Sequence, residues 1–189
     1  MNKPIENTVK YSLYEEELSD LSYKPTGLID KFIFYATRKI TSTMDIDYTI
    51  HIPVSAYLRG EYLCEEISES IQDSFSQRDL ISILIDDFLY AIKDRKLTTY
   101  GAYTEIIERE QNAMRLYNIQ IEHNTEIVCS IKRKIALKLE IMLNDIYELG
   151  AQNIYSTNNL IQILYCNFIQ RYKEGELATF LRDLIKRLA

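Results

Sequence analysis

Apolar residues recur at helical spacing through most of the chain. In residues 27–43 and again in 77–96, every third or fourth position is apolar, which is the period of an amphipathic helix. The same period runs through 98–118 and 128–149, and through two C-terminal segments on either side of Gly175. The pattern predicts a mostly helical protein.

One segment has a different period. Residues 47–54, with the sequence DYTIHIPV, alternate apolar residues with Thr49 and His51, as a β-strand does. A single strand has no neighbour for its backbone hydrogen bonds. It must therefore pair with a strand of another chain or with the N-terminal arm, or it does not form. No internal repeat at a fixed period is evident.

The composition agrees with a helical fold. The 189 residues are 47% hydrophobic, enough for one large domain with a real core, and contain only 5 Gly and 3 Pro for tight turns. We predict an all-α (mostly) fold, a bundle of about six or seven helices in residues 61–189. Residues 1–60 are expected to form an N-terminal region with an arm, a helix and one short strand.

Other features concern the environment of the protein. The first nine residues are polar and predict no secretion signal, and no apolar run approaches the roughly 20 residues that span a membrane. Three widely spaced cysteines, Cys64, Cys129 and Cys166, fit neither a disulfide framework nor a zinc motif. We expect a cytoplasmic protein with reduced, buried cysteines and no membrane partner.

Motifs that carry out catalysis are missing from the sequence. His51 and His123 have no second histidine or cysteine at metal-binding spacing, and no glycine-rich phosphate loop or GxSxG motif occurs. The sequence therefore predicts no catalytic residues, no metal and no cofactor. Fifteen tyrosines favour a binding protein instead, because tyrosine is common in protein interfaces.

One helical segment resembles a known family. Residues 101–119, GAYTEIIEREQNAMRLYNI, resemble the second-helix signature of the poxvirus Bcl-2-like proteins, and RDLISILIDDFLYAI before them resembles that family's first helix. The residues that match the signature are Gly101, Tyr103, Glu105, Ala113, Arg115, Tyr117 and Ile119. The resemblance implies a Bcl-2-like bundle.

The resemblance also implies a function without catalysis. Members of this family antagonise host innate signalling towards NF-kappaB or interferon response factors by sequestering an adaptor or kinase, and some relatives bind death-motif helices to block apoptosis. Their dimer face corresponds here to residues 77–96 and 157–174. The implied partner is a host signalling protein, homodimerisation is implied as well, and the contact candidates are Tyr90, Tyr165 and Phe168. Core burial is the competing interpretation for Phe168.

The strand gives an alternative. TIHIPV, a helix and then SQRDLISILIDDFL resemble a ribbon-helix-helix, in which two chains pair their strands and insert that ribbon into the major groove of DNA. This alternative implies a phage or plasmid regulator with Thr49 and His51 at base edges. The net charge of −6 and the lack of Lys or Arg on the strand argue against it. A helical interaction module of no named family is a third possibility.

Overall fold

The computed structural model describes residues 11–117, 123–151 and 153–188. These residues are mostly helical, as predicted, with one small two-stranded sheet. The elements in chain order are α1 (Ser12–Ser22), α2 (Leu28–Thr41), β1 (Asp45–Pro53), α3 (Val54–Ile71), α4 (Gln77–Asp94), α5 (Thr99–Tyr117), β2 (Asn124–Lys132), α6 (Arg133–Glu148), α7 (Thr157–Lys173) and α8 (Ala178–Leu188).

The two strands form an antiparallel ribbon. At one end the amide of Val54 donates to the carbonyl of His123 at 3.1 Å, and at the other the amide of Arg133 donates to the carbonyl of Met44 at 3.0 Å. The end of each strand thus meets the beginning of the other. This register places Thr49 opposite Val128, and each is the middle residue of a nine-residue strand.

The ribbon corrects two sequence predictions. The strand at residues 47–54 forms, but its partner is Asn124–Lys132 of the same chain, which none of the three options included. The helix predicted from Val128 begins at Arg133. In this segment Ile127, Cys129 and Ile131 alternate as in a strand, while Val128 and Ile131 also fit helical spacing.

The chain contains a repeat of strand, helix and helix. The first copy is β1, α3 and α4, and the second is β2, α6 and α7. In both strands the fourth, sixth and eighth residues are buried. α4 and α7 share the pattern LIxILxxxF, which begins at Leu80 in one and at Leu160 in the other. The expectation of no internal repeat was therefore wrong.

The described residues divide into two compact units. Unit 1 comprises the described residues within Met1–Ile46 and Ile131–Thr157, and unit 2 comprises those within Asp47–Ser130 and Asn158–Ala189. Each unit combines two stretches that are separate in the sequence. The predicted domains, 1–60 and 61–189, are each one continuous stretch.

In unit 1, a buried carboxylate caps the N-terminus of α1. Tyr11 precedes the helix and makes no side-chain cap, and Glu140 of α6 takes over that role. Its Oε2 accepts hydrogen bonds from the amides of Leu13 at 2.8 Å and Tyr14 at 2.9 Å. α1 lies within the predicted N-terminal arm, and this contact explains why the segment is ordered there.

Burial and hydrogen bonding act in opposite directions on Glu140. Burial, the larger effect, raises the pKa of its carboxyl, whereas the hydrogen bonds from Tyr14 and Leu13 and the charge of Arg133 lower it. Arg133 is itself buried and pairs with Glu16 at 3.1 Å. The net result is a raised pKa in the folded protein.

In unit 2, a tyrosine hydroxyl occupies the space beside a helical glycine. Tyr165 is fully buried, and its hydroxyl donates to Oε1 of Gln77. A β-carbon on Gly60 of α3 would overlap this hydroxyl oxygen. At the equivalent positions of the repeat, Leu139 replaces Gly60 and Ile85 replaces Tyr165. The side chains at equivalent core positions of the two copies therefore differ in size.

We predict that Gly60→Ala destabilises the protein by about 1–3 kcal/mol, because the added methyl group overpacks against Tyr165. In an ordinary helix interior the same change stabilises by about 0.5–1 kcal/mol. Adding Tyr165→Phe is expected to restore part of the loss, since it removes the overlapping hydroxyl. Urea unfolding of the single and double variants measures this coupling.

Gly101→Ala in α5 is the matched control, because a β-carbon there makes its nearest contact at 3.4 Å with the Leu97 side chain. It is expected to leave stability unchanged or raise it slightly. Equal effects of alanine at residues 60 and 101 would contradict the overlap with Tyr165.

A second prediction concerns the pH dependence of stability. Because the pKa of Glu140 is higher in the folded than in the unfolded chain, the folded state holds this proton more tightly. The stabilisation that protonated Glu140 contributes to the free energy of unfolding is therefore lost as the pH rises from the usual pKa of 4.5 through the higher pKa of the folded protein. Glu140→Gln does not titrate, so we expect it to lose less stability than the wild type between about pH 4 and pH 7.

Urea unfolding at several pH values measures the difference between the two slopes. Glu148→Gln, at an exposed carboxylate of the same helix, is the control and is expected to follow the wild type. Parallel curves for the wild type and Glu140→Gln would refute the prediction.

Candidate functional site

The ribbon presents one exposed face in unit 2, which we call the outer ribbon face. It consists of alternate side chains from the two strands. Those on the opposite face, such as Ile50 and Cys129, are buried. The outer ribbon face comprises Asp47, Thr49 and His51 of β1, and Glu126, Val128 and Ser130 of β2; all are exposed except Thr49, which is half-buried.

Two polar cross-strand pairs lie at the ends of this face. Ser130 Oγ donates to Asp47 Oδ1 at 2.5 Å, and at the other end His51 Nδ1 lies 3.5 Å from Glu126 Oε1. Thr49 and Val128 occupy the middle. Two carboxylates and no Lys or Arg make the face acidic.

Side chains from α7 cover the free edge of β1. Asn158 Nδ2 donates to the carbonyl of Thr49 at 2.7 Å, and the amide of His51 donates to Gln162 Oε1 at 3.3 Å. Exposed strand edges tend to pair with other chains, and these contacts occupy two of the backbone groups that such pairing would use. The beginning of α7 is thus held beside the ribbon.

The beginning of α4 lies near β2. Burial raises the pKa of the Cys129 thiol to about 11, and the positive charge of Arg78 acts on the same thiol in the opposite direction. Arg78 and Asn158 are equivalent positions of the repeat. α4 begins with a capping box in which Ser76 and Asp79 bond each other's backbone amides. Two helices therefore begin beside the ribbon, one near each strand.

This arrangement is suited to binding. An outward row of side chains offers hydroxyl, imidazole, carboxylate and methyl groups, and the nearby helix N-termini carry partial positive charge. Among the described residues there is no group of three or more His, Cys, Asp or Glu side chains that would hold a metal ion. Within the same residues, every helix is too short or too polar to cross a membrane.

The structure leaves three of the predicted contact residues at the surface and buries the other two. Thr49 and His51 lie on the outer ribbon face, with His51 exposed, as the ribbon alternative requires. Tyr90 on α4 is 67% exposed. Tyr165 and Phe168 are buried, with Tyr165 bonded to Gln77, so neither is a surface contact. For Phe168, the competing interpretation of core burial is confirmed.

The helices behind the family resemblance are present, but their context differs. α4 and α5 form the predicted consecutive pair, and Ala113 of the signature is buried. Ile119 of the signature lies outside the described residues. The segment expected to begin the central helix is β2 instead.

The cysteines lie in the interior. Cys64, Cys129 and Cys166 are free and buried, as expected. Burial, the main effect, raises the pKa of Cys64 to about 12. A thiol in this environment does not ionise near neutral pH, so Cys64 is a small apolar core residue.

α2 differs from the other helices in its exposure. Its sequence pattern predicts an apolar stripe packed against a partner, but Leu28, Ile29 and Phe32 on that stripe are each more than 70% exposed. The side of α2 that carries Arg38 is the less exposed one, and Arg38 pairs with Glu17 at 3.0 Å. The helix thus turns its apolar stripe outward.

The contributions of β2 and α7 to the site were missed in the sequence analysis. Glu126, Val128, Ser130 and Asn158 all belong to the second copy of the repeat. Two signals mark that copy: the alternation in NTEIVCSIK and the shared pattern LIxILxxxF. Both signals are visible when the sequence of the chain is aligned with itself.

Comparison with known proteins gives no relative from which a role can be transferred. The chain matches no protein-family model, no curated protein and no solved structure.

Proposed function

We propose that this protein is a noncatalytic DNA-binding protein that inserts the β1–β2 ribbon into the major groove of duplex DNA. One observation carries the proposal: an antiparallel ribbon, centred on Thr49 and Val128, is built from two copies of a strand-helix-helix unit. In ribbon-helix-helix proteins two chains supply these copies. Here one chain contains both.

The outer ribbon face offers suitable groups for reading bases. The major groove is about 12 Å wide and admits a two-stranded ribbon. Hydroxyls of Thr49 and Ser130 can donate to or accept from base edges. The carboxylates of Asp47 and Glu126 can accept from the amino group of cytosine, and Val128 can contact a thymine methyl.

The charge of the site determines how binding depends on salt. Because the outer ribbon face is acidic, it is repelled by phosphates and supports little sequence-independent binding. Arg78, whose charge acts on Cys129 of β2, and Lys132, the exposed last residue of β2, can contact phosphates. With about two phosphates neutralised, the logarithm of affinity is expected to fall with the logarithm of salt with a slope of about −2.

Capture of a host innate-signalling protein stays the competing proposal. It follows from the resemblance of α4 and α5, and Tyr90 is its exposed contact candidate. The buried Tyr165 and Phe168 weaken it. The two proposals differ in the surface they use, so they can be tested with the same variants.

We predict that the double variant Thr49→Ala, His51→Ala loses at least about tenfold in affinity for its preferred DNA, because each good base contact contributes about 1–3 kcal/mol. Its melting temperature is expected to stay close to that of the wild type, because both side chains point out of the core. The preferred duplex is first selected from a random library, and fluorescence anisotropy then measures affinity.

Tyr90→Ala is the matched control and is expected to bind DNA as the wild type does. If no duplex is enriched, or if the double variant binds as tightly as the wild type, the DNA proposal is wrong. A host signalling protein captured by the wild type and lost with Tyr90→Ala would instead support the competing proposal.

A further inference from the structure

The two ends of the outer ribbon face are similar but not the same. The antiparallel pairing of the two strands relates them by a local, approximate two-fold axis between Thr49 and Val128. Under this axis Glu126 corresponds to Asp47, so each end keeps a carboxylate. His51 corresponds to Ser130, so one end carries an imidazole and the other a short hydroxyl.

This difference between the two ends is encoded in the sequence, because both ends belong to one chain. A ribbon formed by two identical chains has identical ends, and its two half-sites are read alike. The sequences of the two copies also differ at core positions. Gly60 leaves space for the Tyr165 hydroxyl in unit 2, whereas the residues at the equivalent sequence positions are Leu139 and Ile85. The ribbon is therefore complete, and unequal, in a single chain.

We propose that one copy of this chain, without a second, binds one duplex site made of two similar but unequal half-sites. This inference rests on the proposed DNA-binding function. Glu126 and His51 contact one half-site, and Asp47 and Ser130 contact the other.

The chemistry of these pairs predicts what the half-sites share. A carboxylate accepts hydrogen bonds and lacks donors, so both half-sites present an exocyclic amino group, from cytosine or adenine, at the matching position. At the next position the longer imidazole of His51 has a nitrogen donor, which suits the acceptors of a purine edge. Ser130 is shorter and both donates and accepts, so it is less selective.

The test compares the DNA sites selected by the wild type and by two exchange variants. His51→Ser gives both ends a serine with a carboxylate, and Ser130→His gives both a histidine with a carboxylate. We expect an asymmetric consensus for the wild type and a more nearly palindromic one for each variant. Analytical ultracentrifugation of the wild type with its selected duplex is expected to show one chain per duplex.

Melting temperatures identify any variant that fails to fold. Val128→Thr is then the substitute, because it makes the two middle residues of the ribbon the same. Its consensus is expected to become symmetric at the centre.

The inference is overturned if two chains occupy the selected duplex, if the wild-type consensus is a perfect palindrome, or if the folded variants select the wild-type site. In each of these cases DNA is still bound, so the proposed function stands. Failure of the proposed function is recognised separately, by the absence of any enriched duplex.

Discussion

The backbone pairing of β1 with β2 is the interaction on which the rest of the site depends. Each strand alone would leave a row of amide and carbonyl groups without partners, and an isolated strand is not stable in water. Their antiparallel register sets Thr49 opposite Val128 and turns six side chains to one face. α7 then completes the edge of β1 through Asn158 and Gln162. The register thus determines which side chains share the exposed face, which of them are neighbours and which charges the face carries.

Because both strands belong to one chain, their pairing does not require two chains to associate. In a two-chain ribbon the pairing depends on protein concentration, whereas here it is intramolecular, and a long connection adds only slowly to the entropy of closure. The single chain also frees each copy to change independently. Gly60 and Tyr165 show this in the core, where a small and a large residue compensate for each other. His51 and Ser130 show it on the surface.

Much of the fold could be predicted from the sequence, because local signals agree with tertiary structure there. The Ser76 and Asp79 capping box marks the start of α4, and the alternation around Thr49 and His51 marks β1. β2 was missed because Val128 and Ile131 also fit a helical stripe, and only pairing with β1 decides between the two periods. The burial of Tyr165 was likewise not predictable, since it depends on the absence of a side chain at a distant glycine.

The acidity of the outer ribbon face limits how the proposed binding can work. Most proteins gain affinity for DNA from cations that neutralise phosphates, and this contribution is the same for every sequence. Asp47 and Glu126 oppose it on the surface that enters the groove. Affinity must then come from hydrogen bonds to base edges, which a wrong sequence does not satisfy. A carboxylate facing a base without an amino group loses its hydration and gains no hydrogen bond from the DNA, so the same residues that weaken general binding strengthen discrimination.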